Sequence, residues 1–225
     1  MSIPAASNGD LTYELTSPVP GMQIENVAIH ASDRDIYGIL KSRGKKQDIV
    51  LWAGSIFKRS EGQRTSPIAL TVSDRILGSG ISSMLLSYSD YPAQGNDLSR
   101  CVQDTKYCLQ FLSQIGYERI IIVGHSFSGA VAITAAQTSD KVIGVITLAS
   151  QTLGAQTVSH IAPRPILIIH GLADQTLGPH CGEQIYSWAS QPKELVLIEE
   201  ATHRLWDRRD ILEPLLIDWI STHMA

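Results

Sequence analysis

The chain has 225 residues, 44% apolar and 18% charged, with 18 Lys and Arg against 22 Asp and Glu for a formal net charge of −4. This composition excludes disorder, collagen and coiled coil and supplies one sizeable core. Mild acidity without long blocks of one sign argues against a nucleic-acid or membrane-surface role.

Residues 1–22, rich in Ser, Pro, Gly and Asn, read as a loosely ordered leader, and 23–225 as a single domain. The first ten residues lack the basic start and apolar stretch of a signal peptide. No run approaches the ~20 apolar residues that span a bilayer, so a cytoplasmic location is expected.

In chain order, β-branched runs predict strands at 23–30, 36–40, 48–52, 81–88, 119–123, 142–148, 165–169 and 194–198. Ile120-Ile121-Ile122-Val123 and Ile166-Leu167-Ile168-Ile169 are continuously apolar, the pattern of strands covered on both faces. Helices fill the gaps. Ser66 before Pro67 reads as a cap and a first-turn proline, with Gly78 closing that helix. Leu98, Cys101, Val102, Thr105, Cys108, Leu109, Leu112 and Ile115 follow helical spacing, and Gly116 is the stop. The small residues of 129–137 suit a helix lying close on the sheet. A last helix is expected near Asp210, with Glu213 as capping partner and Pro214 in the first turn. Two antiparallel strands followed by βαβα alternation predict a doubly wound α/β fold of about eight strands, with chemistry beyond the strands' carboxyl ends.

Cys101 and Cys108, seven apart on one helix, are separated by about 10.5 Å along its axis, too far for a disulfide. Both read as core, and Cys181 as part of a polar loop. His170, Asp174, His180 and Cys181 match no standard zinc spacing, so no metal is expected.

The strand at 119–123 runs directly into Gly124-His125-Ser126-Phe127-Ser128-Gly129, and a helix follows. A sharp strand-to-helix turn lifts the central serine from the sheet and sets its hydroxyl at the positive helix end. In this context the segment resembles the nucleophile elbow of the α/β-hydrolases, with Ser128 where the family's second glycine stands. The resemblance spans about residues 24–222 and includes the loop Ser87-Tyr88-Ser89-Asp90-Tyr91-Pro92-Ala93-Gln94-Gly95. It implies a mostly parallel sheet with helices on both faces.

It also implies a chain order of serine, acid and histidine, which selects Ser126 as nucleophile, Asp174 past the strand at 165–169 as the acid, and His203 after the last strand as the base. His125 is expected to point away from the reacting face, and His180 is the alternative base. The oxyanion donors implied are the N–H of Phe127 and one from the loop Ala53-Gly54-Ser55-Ile56, with Ser55 first and Ile56 next. Ile56, Phe57, Leu177, Leu205 and Trp206 flank the site as possible pocket walls, though Trp206 also suits the core. Lys58, Arg59 and Arg64 read as a solvated loop beside it, and Asp104 as either an aspartate kept by relatives or an exposed helical charge.

Only 16 residues, 149–164, separate two strands where many relatives insert a lid, so a lidless, dienelactone-hydrolase-like site is expected. The implied reaction is cofactor-free hydrolysis of a small-molecule ester or thioester. A catalytically silent binding protein and a perhydrolase- or haloperoxidase-like activity remain the alternatives.

Overall fold

The two continuously apolar runs become strands hidden from solvent on both faces, with no residue of either more than 2% exposed. The computed structural model describes residues 11–16, 24–43, 47–59, 62–89 and 97–225. Among these residues ten strands form one sheet: β1 (Thr12–Thr16), β2 (Ile24–His30), β3 (Asp35–Lys41), β4 (Asp48–Arg59), β5 (Gly62–Thr65), β6 (Ser82–Ser87), β7 (Arg119–His125), β8 (Val142–Leu148), β9 (Ile166–Gly171) and β10 (Lys193–Ile198). Their order is β1-β2-β3-β6-β4-β7-β8-β9-β10, with β5 paired to the far end of β4. From β6 to β10 neighbours are parallel, whereas β1, β2 and β3 add an antiparallel edge.

Among the described residues five α-helices cover the sheet: α1 (Pro67–Leu77), α2 (Leu98–Gln114), α3 (Phe127–Ala136), α4 (His180–Trp188) and α5 (Arg209–Met224). One core, holding Ile49, Ile120 and Ile168, lies under α2, α3 and α4 through Phe111, Val131 and Ile185. The other, holding Val50, Ile121 and Leu167, lies under α1 and α5 through Val72 and Leu216. Adjacent strands β4 and β7 therefore send their following helices, α1 and α3, to opposite faces. Such a switch point opens a crevice at the strands' carboxyl ends.

Several expectations are corrected. The leader read over 1–22 contains β1, whose Tyr13 and Leu15 alternate inward and pair antiparallel with β2. Residues 1–10 and 17–23 lie outside the described residues. The strand at 48–52 does not end at Trp52: after a register shift between Trp52 and Ile56 it continues and turns back as β5. The stretch holding Lys58, Arg59 and Arg64 is thus a hairpin rather than a loop. Cys181 sits buried in α4, not in a polar loop. Pro214 falls in the second turn of α5, and Glu213 pairs with Arg75 of α1 at 3.1 Å instead of capping its own helix.

Asp104 is fully buried. It accepts hydrogen bonds from Ser89 N–H and Oγ–H, both at 2.9 Å, and from the Arg34 guanidinium at 3.3 Å. Burial pushes its carboxyl up, and those bonds only partly offset the push. It fastens the chain leaving β6 to α2. The loop glycine Gly95 lies outside the described residues.

Candidate active site

Ser126 caps α3 with φ 57° and ψ −120°, a strained backbone for a residue bearing a side chain. The strain is held from three directions. Its N–H donates to Leu148 O at 2.8 Å, and its carbonyl accepts from Gly129 N–H at 3.1 Å and Gln151 N–H at 3.4 Å. Gly124 packs against the backbone of Ser128, and Gly129 against Ser150, so the turn closes without a glycine at 128. Room for the Ser128 side chain comes from β4. Gly54 has φ +59°, and a Cβ there would lie 2.5 Å from both Ser128 Oγ and the Tyr88 ring.

Asp174 lies in the turn after β9, where its N–H donates to Gly171 O at 3.3 Å. Gly171 has no side chain to keep the chain after β10 away: a Cβ would collide with the backbone of Ala201. The two turns are joined by Ala173 N–H donating to Ala201 O at 3.0 Å. That junction carries His203 to Asp174. His203 Nδ1 lies 2.8 Å from Asp174 Oδ2, and its Nε2 lies 3.0 Å from Ser126 Oγ.

The carboxylate is 0% exposed and the imidazole 19%. Burial alone would raise the Asp174 carboxyl, but hydrogen bonds from Leu177 N–H, His203 and Thr176 N–H hold it below its ordinary value. An ionised carboxylate accepts a hydrogen bond from Nδ1–H, which leaves Nε2 of His203 free to accept from Ser126.

No family model matches the chain. Among curated proteins, uncharacterized YfhR of Escherichia coli K12 is 27% identical over 134 residues, 48% of this chain and 47% of that protein. The match thus spans about half the length of the curated relatives. Among solved structures, dienelactone hydrolase from Anabaena variabilis superposes with TM-score 0.74 at 18% identity, covering 89% of this chain and 98% of that one. Est1E from Butyrivibrio proteoclasticus gives 0.74 at 13% identity, covering 88% and 98%, and α/β hydrolase GrgF from Penicillium gives 0.73 at 14%, covering 89% and 99%.

The chain has the α/β-hydrolase fold.

Within this α/β-hydrolase fold the segment 149–165 carries one 3₁₀ turn at Val158–Ile161 and no inserted domain. Phe127 opens α3, so its N–H is among those with no acceptor inside the helix. Ser55 is 5% exposed, lies within the register shift of β4, and accepts Ser66 N–H on its carbonyl at 2.8 Å. A cavity of about 40 Å³ beside it is bounded by Trp52, Gly54, Ser55, Ser66, Ile68 and His125. A cavity of about 520 Å³ between α2 and residues 138–141 touches none of the site residues.

The expected pocket walls fare unevenly. Ile56 is buried against the core beneath α1 and lines a cavity of about 270 Å³ with Val27, Tyr37, Gly38, Ile39 and Ser87, which Ser126, Asp174 and His203 do not line. Trp206 packs half-buried on that same core with the Arg209 guanidinium 5.3 Å from its ring. Leu205 is fully buried there. Leu177 serves Asp174 through its backbone, and the Phe57 side chain lies outside the described residues. His180 is an exposed residue on α4, 3.6 Å from Cys181 Sγ. Among the described residues no three His, Cys, Asp or Glu are grouped to hold a metal, and no helix is long and apolar enough to cross a membrane.

Sequence reasoning missed two histidines. His125 faces the loop of His203 and donates from Nε2 to the His203 carbonyl at 2.8 Å. His170, fully buried, donates from Nε2 to Leu177 O at 2.9 Å. The signal for both was an imidazole beside a candidate site residue, but what each touches depends on chain tens of residues away or on an unseen turn.

Proposed function

We propose that this protein is a serine hydrolase that cleaves a carboxylic ester or thioester of a small molecule through an acyl-enzyme. One observation carries the reading: the unbroken run Ser126 Oγ, His203 Nε2, His203 Nδ1, Asp174 Oδ2, with gaps of 3.0 and 2.8 Å. Position 126 bears a hydroxyl, which is a weak nucleophile until a neighbouring base takes its proton.

In the proposed reaction Ser126 Oγ attacks the carbonyl carbon while its proton passes to His203 Nε2, and Asp174 steadies the imidazolium. The N–H groups of Phe127 and Ser55 hold the oxyanion, each worth about 10²–10³ in rate. Collapse breaks the bond to the leaving group, which takes the proton from His203. Water then loses a proton to His203 as it attacks the acyl carbon, and the proton returns to Ser126 as the acid departs. No cofactor takes part. The names of Est1E and the Anabaena dienelactone hydrolase support ester-type chemistry on this fold.

The test is treatment of the purified protein and its Ser126→Ala variant with a fluorophosphonate probe and with short p-nitrophenyl esters and thioesters. The wild type is expected to label and turn over, and the variant to lose both. A folded wild type that neither labels nor turns over, or a variant that equals it, overturns the reading in favour of a silent binding protein.

A further inference from the structure

His170 stands at the end of β9, fully buried; its Nε2 donates to Leu177 O at 2.9 Å and lies 3.3 Å from Asp174 Oδ2. Two oxygens facing one ring nitrogen require that nitrogen to carry the proton. The other nitrogen, Nδ1, is buried and has no hydrogen-bond partner, which holds the ring in its Nε2–H form. The ring cannot swing away, because Gly182 of α4 lies against it: a Cβ at 182 would sit 3.0 Å from both Nδ1 and Cβ of His170.

The same turn is tied a second time. Asp174 Oδ1 accepts Thr176 N–H at 2.8 Å and Leu177 N–H at 2.9 Å, so it is occupied on the side away from His203. Oδ2 is left between two imidazoles, His203 at 2.8 Å and His170 at 3.3 Å.

We propose that His170 is a positioning residue for the triad: its Nε2–H clasps the turn 174–177 and fixes Oδ2 of Asp174 on His203. The role rests on the function proposed above. His170 touches no reacting atom and acts through the carboxylate. Its N–H also draws part of the negative charge of Oδ2 to itself. Without it Asp174 would pull harder on the Nδ1 proton of His203 and stabilise the protonated imidazole. Other titratable or charged groups facing the pair are His125 from β7, Cys181 on α4 and Asp207, which accepts Thr202 N–H beside His203. All three remain in every variant below.

The test compares His170→Leu, His170→Gln and His170→Asn. Gln places its amide nitrogen near the position of Nε2, whereas Asn is too short to reach Asp174 or Leu177. In His170→Leu, kcat on a p-nitrophenyl ester is expected to fall about 10–10²-fold with KM little changed, because the acid is no longer held in register. The acid limb of the pH–rate profile should move upward by about half to one unit, the scale of one shared hydrogen bond to a charged group. Asn should behave as Leu does, and Gln should restore both kcat and the limb.

A merely structural role would lower the melting temperature and leave the limb in place. If Leu fails to fold, the Gln and Asn pair decides alone. An unmoved limb in a folded Leu or Asn variant, or a Gln variant no better than Asn, overturns the proposal. ¹⁵N NMR of the imidazoles separates this failure from failure of the catalytic reading. Even in a protein without turnover, His170 should show protonated Nε2 and bare Nδ1, and the Nδ1 proton of His203 should shift in His170→Leu and return in His170→Gln. Absence of that shift sinks the role of His170 whatever the activity.

Discussion

The carbonyl of His203 lies 2.8 Å from Nε2 of His125, the residue immediately before Ser126. His203 and Ser126 are therefore tied together twice, once through the Ser126 hydroxyl and once through the backbone of His203. His203 sits on a loop with left-handed residues at Glu200 and Leu205, and such a loop wanders unless its backbone is held.

Replacing His125 by Phe keeps an aromatic ring and removes the donor. We expect kcat to fall about 10–10²-fold on the test ester with little change in KM, since only the placement of His203, the proposed base, is disturbed. Steady-state kinetics on the two proteins check this.

The same residue sets a pH dependence of stability. Burial depresses the His125 imidazole below its ordinary value of 6.5, with the charge of His203 adding to the push against the bond to its carbonyl. The unfolded chain then binds a proton that the folded chain refuses. This contribution is complete above pH 6.5 and is lost as pH falls below it, with a slope of up to about 1.4 kcal/mol per pH unit. Urea unfolding between pH 7 and 5 should show a shallower decline in His125→Phe than in the wild type.

Asp174 has the opposite chemistry and the same direction. Its carboxyl is held below 3.8, so it stabilises the fold above that pH and ceases to do so as pH falls through its folded value. Asp174→Asn should flatten acid unfolding below pH 4 and lower kcat by about 10⁴-fold, because an amide can present Nδ1 of His203 with the wrong tautomer. Acid titration followed by circular dichroism, beside ester turnover, measures both.

Asp104 is a test of stability alone. Asp104→Ala leaves the Arg34 guanidinium, 14% exposed, without its inner partner and frees Ser89. A loss of about 3 kcal/mol is expected in denaturant unfolding, and a smaller loss in Asp104→Asn.

Much of this was legible in the sequence. The runs at 120–123 and 166–169 announce covered strands, and the strand-to-helix turn with the serine-acid-histidine order points to the three residues that the structure brings together. Other features carried little local sign. The second strand of the β4–β5 hairpin reads Gly62-Gln63-Arg64-Thr65, polar enough to pass for loop. Helix α4 is short and interrupted by Gly182, although Cys181, Ile185 and Trp188 keep helical spacing. Tyr13 and Leu15 alternate as a strand should, but in a stretch dominated by turn residues. The burial of Asp104 depends on Ser89 and Arg34, 15 and 70 positions away, and no local pattern reports such distances.

Gly54 offers a direct test of the crowding over the elbow. Gly54→Ala adds a side chain at φ +59° and 2.5 Å from Ser128 Oγ and Tyr88, so it should cost about 2–4 kcal/mol in unfolding experiments. Adding Ser128→Gly should return about 1 kcal/mol, a coupling that a double-mutant cycle reads directly.

That shared space reaches beyond one molecule. Serine at 128 should make glycine at 54 more strongly required, whereas glycine at 128 would leave the Tyr88 ring and the positive φ to oppose a methyl there. In an alignment of close homologues the two columns should covary, though 74 positions of chain lie between them.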